Sequence, residues 1–363
     1  MIKLTDFNSI VPRVIDHFAM MVRALVPTSL VCLLLAMIGL GAAQFITHDD
    51  AIAMRTQANT QLMSSFVQLK RAQGGNADIA FVGDSTCENG IEPHWLSQRL
   101  GAKVVNLCTM AYAGPGGYGE MLEAFLRAAS PKARVVVAMH GQFFARESVW
   151  EQAWGSPMQI ARGLREKYKP GTKLQDIFAA EKLVYVNLAF ERLIDTPTEH
   201  ASVSAMIGGL STYRRMLSAQ GFYYLTSMTP CLYCLPQDYA TKAGDRVVDA
   251  VQPKPAPVPN AHYEQAMMRM RESIARVGAD RVYLLFMPFD DRDLSQAGAA
   301  EFRIQAERVA GKMGLPASHV LATPLRVPAH MLGDRLHFYR PGQIWFSDQI
   351  APVLAQILPS KKR

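Results

Sequence analysis

The sequence predicts an α/β fold with a central parallel sheet, and three observations carry that expectation. Short apolar runs of strand length alternate with segments of helical periodicity, the pattern of strands joined by crossover helices. The alternation appears near residue 79 and again after residue 261, with a less regular stretch between, so one domain interrupted by a long insertion accounts for both halves. Finally, 49% of the 363 residues are hydrophobic and only 19% are charged, which excludes general disorder and leaves ample material for a buried core.

The elements follow in order. Residues 1–23 form a polar leader, and residues 24–46 carry no charge. Roughly 20 such residues cross the hydrocarbon core of a bilayer. Lys3, Arg13 and Arg23 precede the run, and His48, Asp49 and Asp50 follow it. The positive-inside bias therefore places the leader in the cytoplasm and everything after about residue 47 outside. Gly41-Ala42-Ala43 also offers small residues for a signal-peptide cleavage. The long leader and long apolar run favour a retained transmembrane anchor instead. Residues 47–76 read as a stalk, helical in part and broken at Gly74-Gly75-Asn76.

The domain then spans residues 77–358. Ile79-Ala80-Phe81-Val82 is a buried strand entering a turn at Gly83-Asp84-Ser85. A helix over 93–100, a strand over 104–106, a helix over 119–129 and a strand over 135–139 follow. The insertion, about 141–260, contains helical patterns such as 174–193 and a Pro-rich stretch over 253–259. A helix over 261–277, a strand over 282–286, and helices over 295–313 and 344–358 complete the domain. Residues 359–363 form a basic tail.

Charge and cysteine usage narrow the function classes. The net charge of +7 is spread along the chain, with its one dense run at Lys361-Lys362-Arg363. No basic block interleaved with aromatics and no zinc-finger spacing is present, which argues against nucleic acid as a partner. An anionic glycan or membrane surface suits the charge. Cys32 lies in the apolar run, leaving Cys87, Cys108, Cys231 and Cys234 outside; four cysteines allow three pairings. The Cys231-Leu-Tyr-Cys234 pair suits a redox pair, half a zinc site or a local staple; with no second such motif and no nearby paired histidines, a structural bridge is favoured.

Two segments far apart in sequence carry the chemistry. Ser85 stands just past a strand's C-terminal end, where open α/β sheets place their active sites. Its hydroxyl needs an adjacent base to act as a nucleophile. Gly333-Asp334-Arg335-Leu336-His337 lies just before the final helix. Asp and His three residues apart can share one turn, with the carboxylate holding one imidazole nitrogen while the other faces a serine. Either segment alone is ordinary; Gly-Asp-Ser is a common turn and a lone His is more often structural.

Taken together, the early Gly-Asp-Ser and the late Asp-x-x-His resemble the SGNH (GDSL-like) hydrolase superfamily over residues 77–358, the insertion excluded. The resemblance implies a three-layer fold around a central parallel sheet. It also implies Ser85 as nucleophile, His337 as general base and Asp334 as the residue that orients and stabilises the imidazole. The Ser85 amide would be one oxyanion donor. The superfamily takes a second donor from a Gly after the second strand and a third from an Asn after the third strand. Here the candidates are Asn106, Gly114 and Gln142, since the glycines come late and His140-Gly141-Gln142 contains no Asn. No metal or organic cofactor is implied.

The anchor, the exported domain and the run through Ile91-Glu92-Pro93 resemble, more narrowly, proteins of cell-envelope acylation. These include the D-alanyl-transfer protein of teichoic-acid modification and the O-acetylation proteins of exopolysaccharides. That likeness implies a polysaccharide substrate, location in the cytoplasmic membrane with the catalytic domain in the periplasm or outside, and a polytopic membrane-bound O-acyltransferase as partner. A carbohydrate esterase, or a non-catalytic glycan-binding or assembly protein of the same fold, is the alternative. Remaining candidates are weaker. Asp290-Asp291-Arg292-Asp293 reads as an exposed loop. His94 and His140 have no evident role, and His330 is a rival base because it lies near the same loop as His337. Trp150, Trp154 and Tyr168 suit either a sugar face or core packing.

The charge flanks of residues 24–46 make a direct prediction. Alkaline phosphatase fused after residue 60 should be active in cells, whereas an inactive phosphatase with a bright cytoplasmic fluorescent fusion at the same position would reverse the orientation.

Overall fold

Four parallel strands, in the order β2-β1-β3-β4, form the sheet that organises this protein. They are β1 (Ile79–Gly83), β2 (Val104–Asn106), β3 (Arg134–Met139) and β4 (Val282–Phe286). The computed structural model describes residues 57–74, 77–109, 113–141, 261–291, 296–321, 325–332, 336–338 and 340–359, together with parts of 26–37 and 214–218. The expected α/β class with a parallel sheet is what these residues form. Phe81 pairs with Asn106 on one side and with Val136 on the other, and Val136 pairs in turn with Tyr283. A single parallel bridge from Leu284 to Val320 adds a short fifth position at the β4 edge.

Strand residues alternate between two cores, as the period-2 geometry of a strand requires. Ala80, Val82, Val135, Val137, Leu284 and Phe286 face one cluster. Its helices are α1 (Gln57–Gln73), α4 (Gly114–Ala128), α5 (Ala261–Val277) and α6 (Gln296–Lys312). Ile79, Phe81, Val136, Ala138 and Leu285 face the other cluster. That side holds α2 (Ser85–Gly90), α3 (Pro93–Leu100) and α7 (Arg340–Ile357). Because both faces are covered, the strands read as continuous apolar runs rather than alternating ones. A small parallel pair, β5 (Phe289–Asp290) with β6 (Arg326–Val327), lies beyond β4.

The order 2-1-3-4 reverses direction at β1. The chain moves from β1 to β2 on one side, then returns to place β3 on the other, which makes the C-terminal ends of β1 and β3 the topological switch point, where open α/β sheets place their sites. Gly83 closes β1 at that point. A Cβ there would lie 1.7 Å from the Ala138 carbonyl oxygen, so no other residue allows the two strand ends this approach.

Several expectations change. The turn after β1 is a helix, because the Asp84 side chain caps it by accepting from the Thr86 and Cys87 amides. Helix α4 starts five residues earlier than expected, at Gly114-Pro115, and α7 starts four earlier, at Arg340-Pro341. A proline in the first turn lacks an N–H that would have been unsatisfied there anyway. Residues 47–76 are not wholly a stalk. Met63, Phe66 and Leu69, three residues apart on α1, are buried, and Ser65 Oγ donates to the Cys108 carbonyl at 2.9 Å. The second half of α1 therefore belongs with the core.

Of the expected anchor, the described residues of 26–37 are helical. Val26, Leu30, Val31, Leu33, Leu34 and Met37 among them are more than half exposed. Among the described residues no helix is long and apolar enough to cross a membrane. Most of the insertion, including the 174–193 and 253–259 segments, Cys231, Cys234, Trp150, Trp154 and Tyr168, lies outside the described residues.

Gly83→Ala tests the strand junction. The clash is with backbone rather than with a flexible side chain, so a loss of about 3 kcal/mol or more is expected in urea unfolding.

Candidate active site

Ser85 is the first residue of α2, at the C-terminal end of β1 and next to the switch point of the sheet. Its placement starts with Asp84, which is buried and extended in backbone and so turns the chain from strand to helix. One carboxylate oxygen accepts from the Thr86 amide at 2.9 Å, from the Thr86 hydroxyl and from the Cys87 amide at 3.4 Å. The other accepts from the His140 amide at 2.8 Å, which ties the end of β3 to the end of β1. Burial pushes the Asp84 carboxyl above its ordinary value, and these donors oppose the rise. The Ser85 amide takes no part in this capping.

His337 reaches Ser85 from the opposite end of the sequence. Its Nε2 lies 3.1 Å from Ser85 Oγ, across a separation of 252 residues, and both residues are half-buried. With the imidazole proton on Nδ1, the serine hydroxyl donates to Nε2, which is the arrangement a general base needs. Asp334, the expected partner of Nδ1, lies outside the described residues.

The other candidates separate clearly. Asn106 is not placed as an oxyanion donor, contrary to expectation. Its amide nitrogen donates to the carbonyls of Cys87, Glu88 and Ile91 at 3.2, 3.3 and 2.9 Å. Its oxygen accepts from the Cys108 amide at 2.9 Å. Both ends of the side chain are thus spent on α2 and the loop after β2, which makes Asn106 a brace under the helix that Ser85 opens. Gly114 opens α4 with φ of 62°, a left-handed conformation that favours glycine. Gln142 lies outside the described residues.

The histidines are also resolved. His330 is exposed in the turn Ala329–Met331, whereas His337 is the one at Ser85. His140 is buried, with Nε2 3.1 Å from the Pro288 carbonyl and its ring against Phe289. His94 is exposed on α3, within reach of Gln98. Asp290 is buried in β5, and the Asp291 amide donates to the Val327 carbonyl, so this part of the acidic stretch is a strand pair rather than a loose loop.

Three features escaped sequence reasoning. A disulfide joins Cys87 to Cys108, both buried; the spacing left three pairings open. The capping role of Asp84 was legible only as a Ser-preceding Asp. Thr109 lies beside the end of β1, its amide donating to the Gly83 carbonyl at 2.9 Å, and its buried hydroxyl has no partner among the described residues.

A half-buried serine paired with an imidazole, at the first turn of a helix, can form and discharge a covalent ester intermediate. Among the described residues, no group of three or more His, Cys, Asp or Glu is placed to hold a metal ion. Compared with known families and curated proteins, the chain matches no family model and no curated protein.

Asp84→Asn tests the cap. The new amide would set one donor against the His140 amide, and leaving that buried group unpaired should cost about 2 kcal/mol. The native state holds the Asp84 proton more tightly than the unfolded chain does. Its contribution is therefore full below the unfolded value and declines as pH rises through the folded one. In urea unfolding, the gap between wild type and Asp84→Asn should be widest at the acid end of the folded range and narrow as pH rises.

Proposed function

We propose that this chain is a membrane-anchored, extracytoplasmic SGNH-like serine O-acyltransferase or esterase acting on hydroxyls of a cell-envelope or secreted polysaccharide. The observation that carries the reading is the 3.1 Å approach of His337 Nε2 to Ser85 Oγ at the C-terminal edge of a parallel sheet. Ser85 Oγ attacks the acyl carbonyl and its proton passes to Nε2. The leaving group departs with that proton, and the acyl group remains as a serine ester. A sugar hydroxyl, or water, then gives its proton to Nε2 and attacks the ester; the acyl–Oγ bond breaks, and Nε2 returns the proton to Ser85 Oγ. Asp334 is assigned to orient the imidazole, and the Ser85 amide to receive the developing oxyanion; each such donor is typically worth 10²–10³ in rate.

The Cys87–Cys108 disulfide supports an oxidising compartment outside the cytoplasm. The apolar side chains exposed on the helical residues of 26–37 support the anchor, since water is a poor neighbour for them and lipid a good one. An anchored domain suits an acyl donor that arrives at the membrane, and a polytopic membrane-bound O-acyltransferase is the partner of that kind. The reading assigns no metal or organic cofactor.

One observation favours a second reading. Asn106 is committed to α2, which removes a candidate donor and suits a non-catalytic glycan-binding or assembly protein.

A serine-reactive fluorophosphonate separates the two. Labelling of wild type that is lost in Ser85→Ala supports catalysis, and absence of labelling favours the binding role. For a small activated ester, Ser85→Ala and His337→Ala should each remove nearly all hydrolysis, with the double variant little worse, because the two act as a unit. Full activity in Ser85→Ala would end the enzymatic reading.

A further inference from the structure

We infer that Phe338 is a positioning residue that sets the His337 imidazole against Ser85, and that Gly90, on the nucleophile's own helix, is the wall it registers on. This rests on the proposed roles of Ser85 and His337 and deepens them. Phe338 follows His337 directly and is buried. Its backbone forms an antiparallel bridge with Leu332, and its carbonyl accepts from Gln343 Nε2 at 3.4 Å. Its ring stacks on Phe346 at 5.5 Å between centroids and 19° between planes.

Both edges of the ring meet glycines. A Cβ on Gly90 would lie 3.1 Å and 3.2 Å from Phe338 Cδ2 and Cε2, and 2.5 Å from the Met287 methyl. A Cβ on Gly342 would lie 2.6 Å from Phe338 Cδ1 and 2.5 Å from the Met331 carbonyl oxygen. Neither glycine therefore leaves room for a methyl group beside the ring without a shift of its neighbours.

The geometry transmits this to the site. Ser85 and Gly90 are the two ends of one six-residue helix, about 7.5 Å apart along its axis at 1.5 Å per residue. The consecutive side chains His337 and Phe338 reach those two ends, His337 at the hydroxyl and Phe338 at the glycine. Any shift of the ring displaces the neighbouring imidazole relative to the same rigid helix. A misplacement of about 1 Å can cost roughly 100-fold in rate.

The test uses the full chain in detergent micelles, with Gly90→Ala, Phe338→Leu and the double variant. In an ordinary helix Gly→Ala stabilises, so slower chemistry in Gly90→Ala is not explained by helix propensity. Fluorophosphonate labelling in Gly90→Ala and in Phe338→Leu should slow by about 10- to 100-fold when read well below each variant's own unfolding temperature, since both changes repack a buried contact. The double variant, in which the smaller leucine makes room for the new methyl, should recover at least about tenfold over Gly90→Ala. Imidazole nitrogen NMR of His337, assigned with His337→Gln, reports the hydrogen bond to Ser85 without any turnover. It should move in Gly90→Ala and return in the double variant. Wild-type labelling rates and an unmoved His337 signal in Gly90→Ala would overturn the positioning role, as would a double variant as slow as the product of the singles. An unlabelled wild type whose His337 signal still responds to Gly90→Ala would retain the positioning role and remove the enzymatic reading instead.

Discussion

The hydrogen bonds into the buried Asp84 carboxylate join the three elements on which the site depends. One oxygen starts α2 by taking its first free amides, and the other takes the His140 amide at the end of β3. The contact requires β1 and β3 to approach closely, which only Gly83 permits. A carboxylate is suited to this work because it only accepts and can serve several donors at once. Its burial is costly, and the donors offset that cost. The outcome is a serine held at the C-terminal edge of the sheet by a hydrogen-bonded strand-to-helix junction.

A second set of interactions braces α2 from the side of β2. Asn106 gathers three carbonyls at the C-terminal part of α2, and the Cys87–Cys108 disulfide links the same helix to the following loop. Ser65 on α1 then holds the Cys108 carbonyl. A continuous path therefore runs from the helix that follows the apolar N-terminal run to the residue two positions beyond Ser85. The residue types chosen here, a buried amide and a disulfide, resist displacement more than apolar packing alone, because breaking either leaves polar groups unsatisfied or the chain unlinked.

The sheet was legible because its strands are apolar on both faces and end at turn residues: 79–82, 135–139 and 282–286 each appear within a residue or two of their final bounds. Ser85 and His337 were legible as motif members, although sequence alone cannot bring residues 252 apart together. Asn106 misled because its type suits a donor, and only the fold shows that three carbonyls claim it first. The helix α2 was missed because six residues hold too little periodicity to detect; its cap, Asp84, was the available signal. The early starts of α4 and α7 were missed because Gly-Pro and Arg-Pro-Gly read as breaks, yet proline is at home in a first helical turn. The buried part of α1 reads as a stalk in the sequence because its small and polar residues, Ser64, Ser65 and Gln68, dilute the apolar stripe that Met63, Phe66 and Leu69 present to the core.

The proposed function requires Ser85 to carry the acyl group. The most direct measurement is to mix the full chain with a small activated acetyl ester, quench with acid within the first turnover, and map the adduct by peptide mass spectrometry. One acetyl group on the peptide containing Ser85, absent from Ser85→Ala and strongly reduced in His337→Ala, is the predicted result. Acetyl on a different residue, or undiminished ester turnover in Ser85→Ala with no adduct at Ser85, would contradict it.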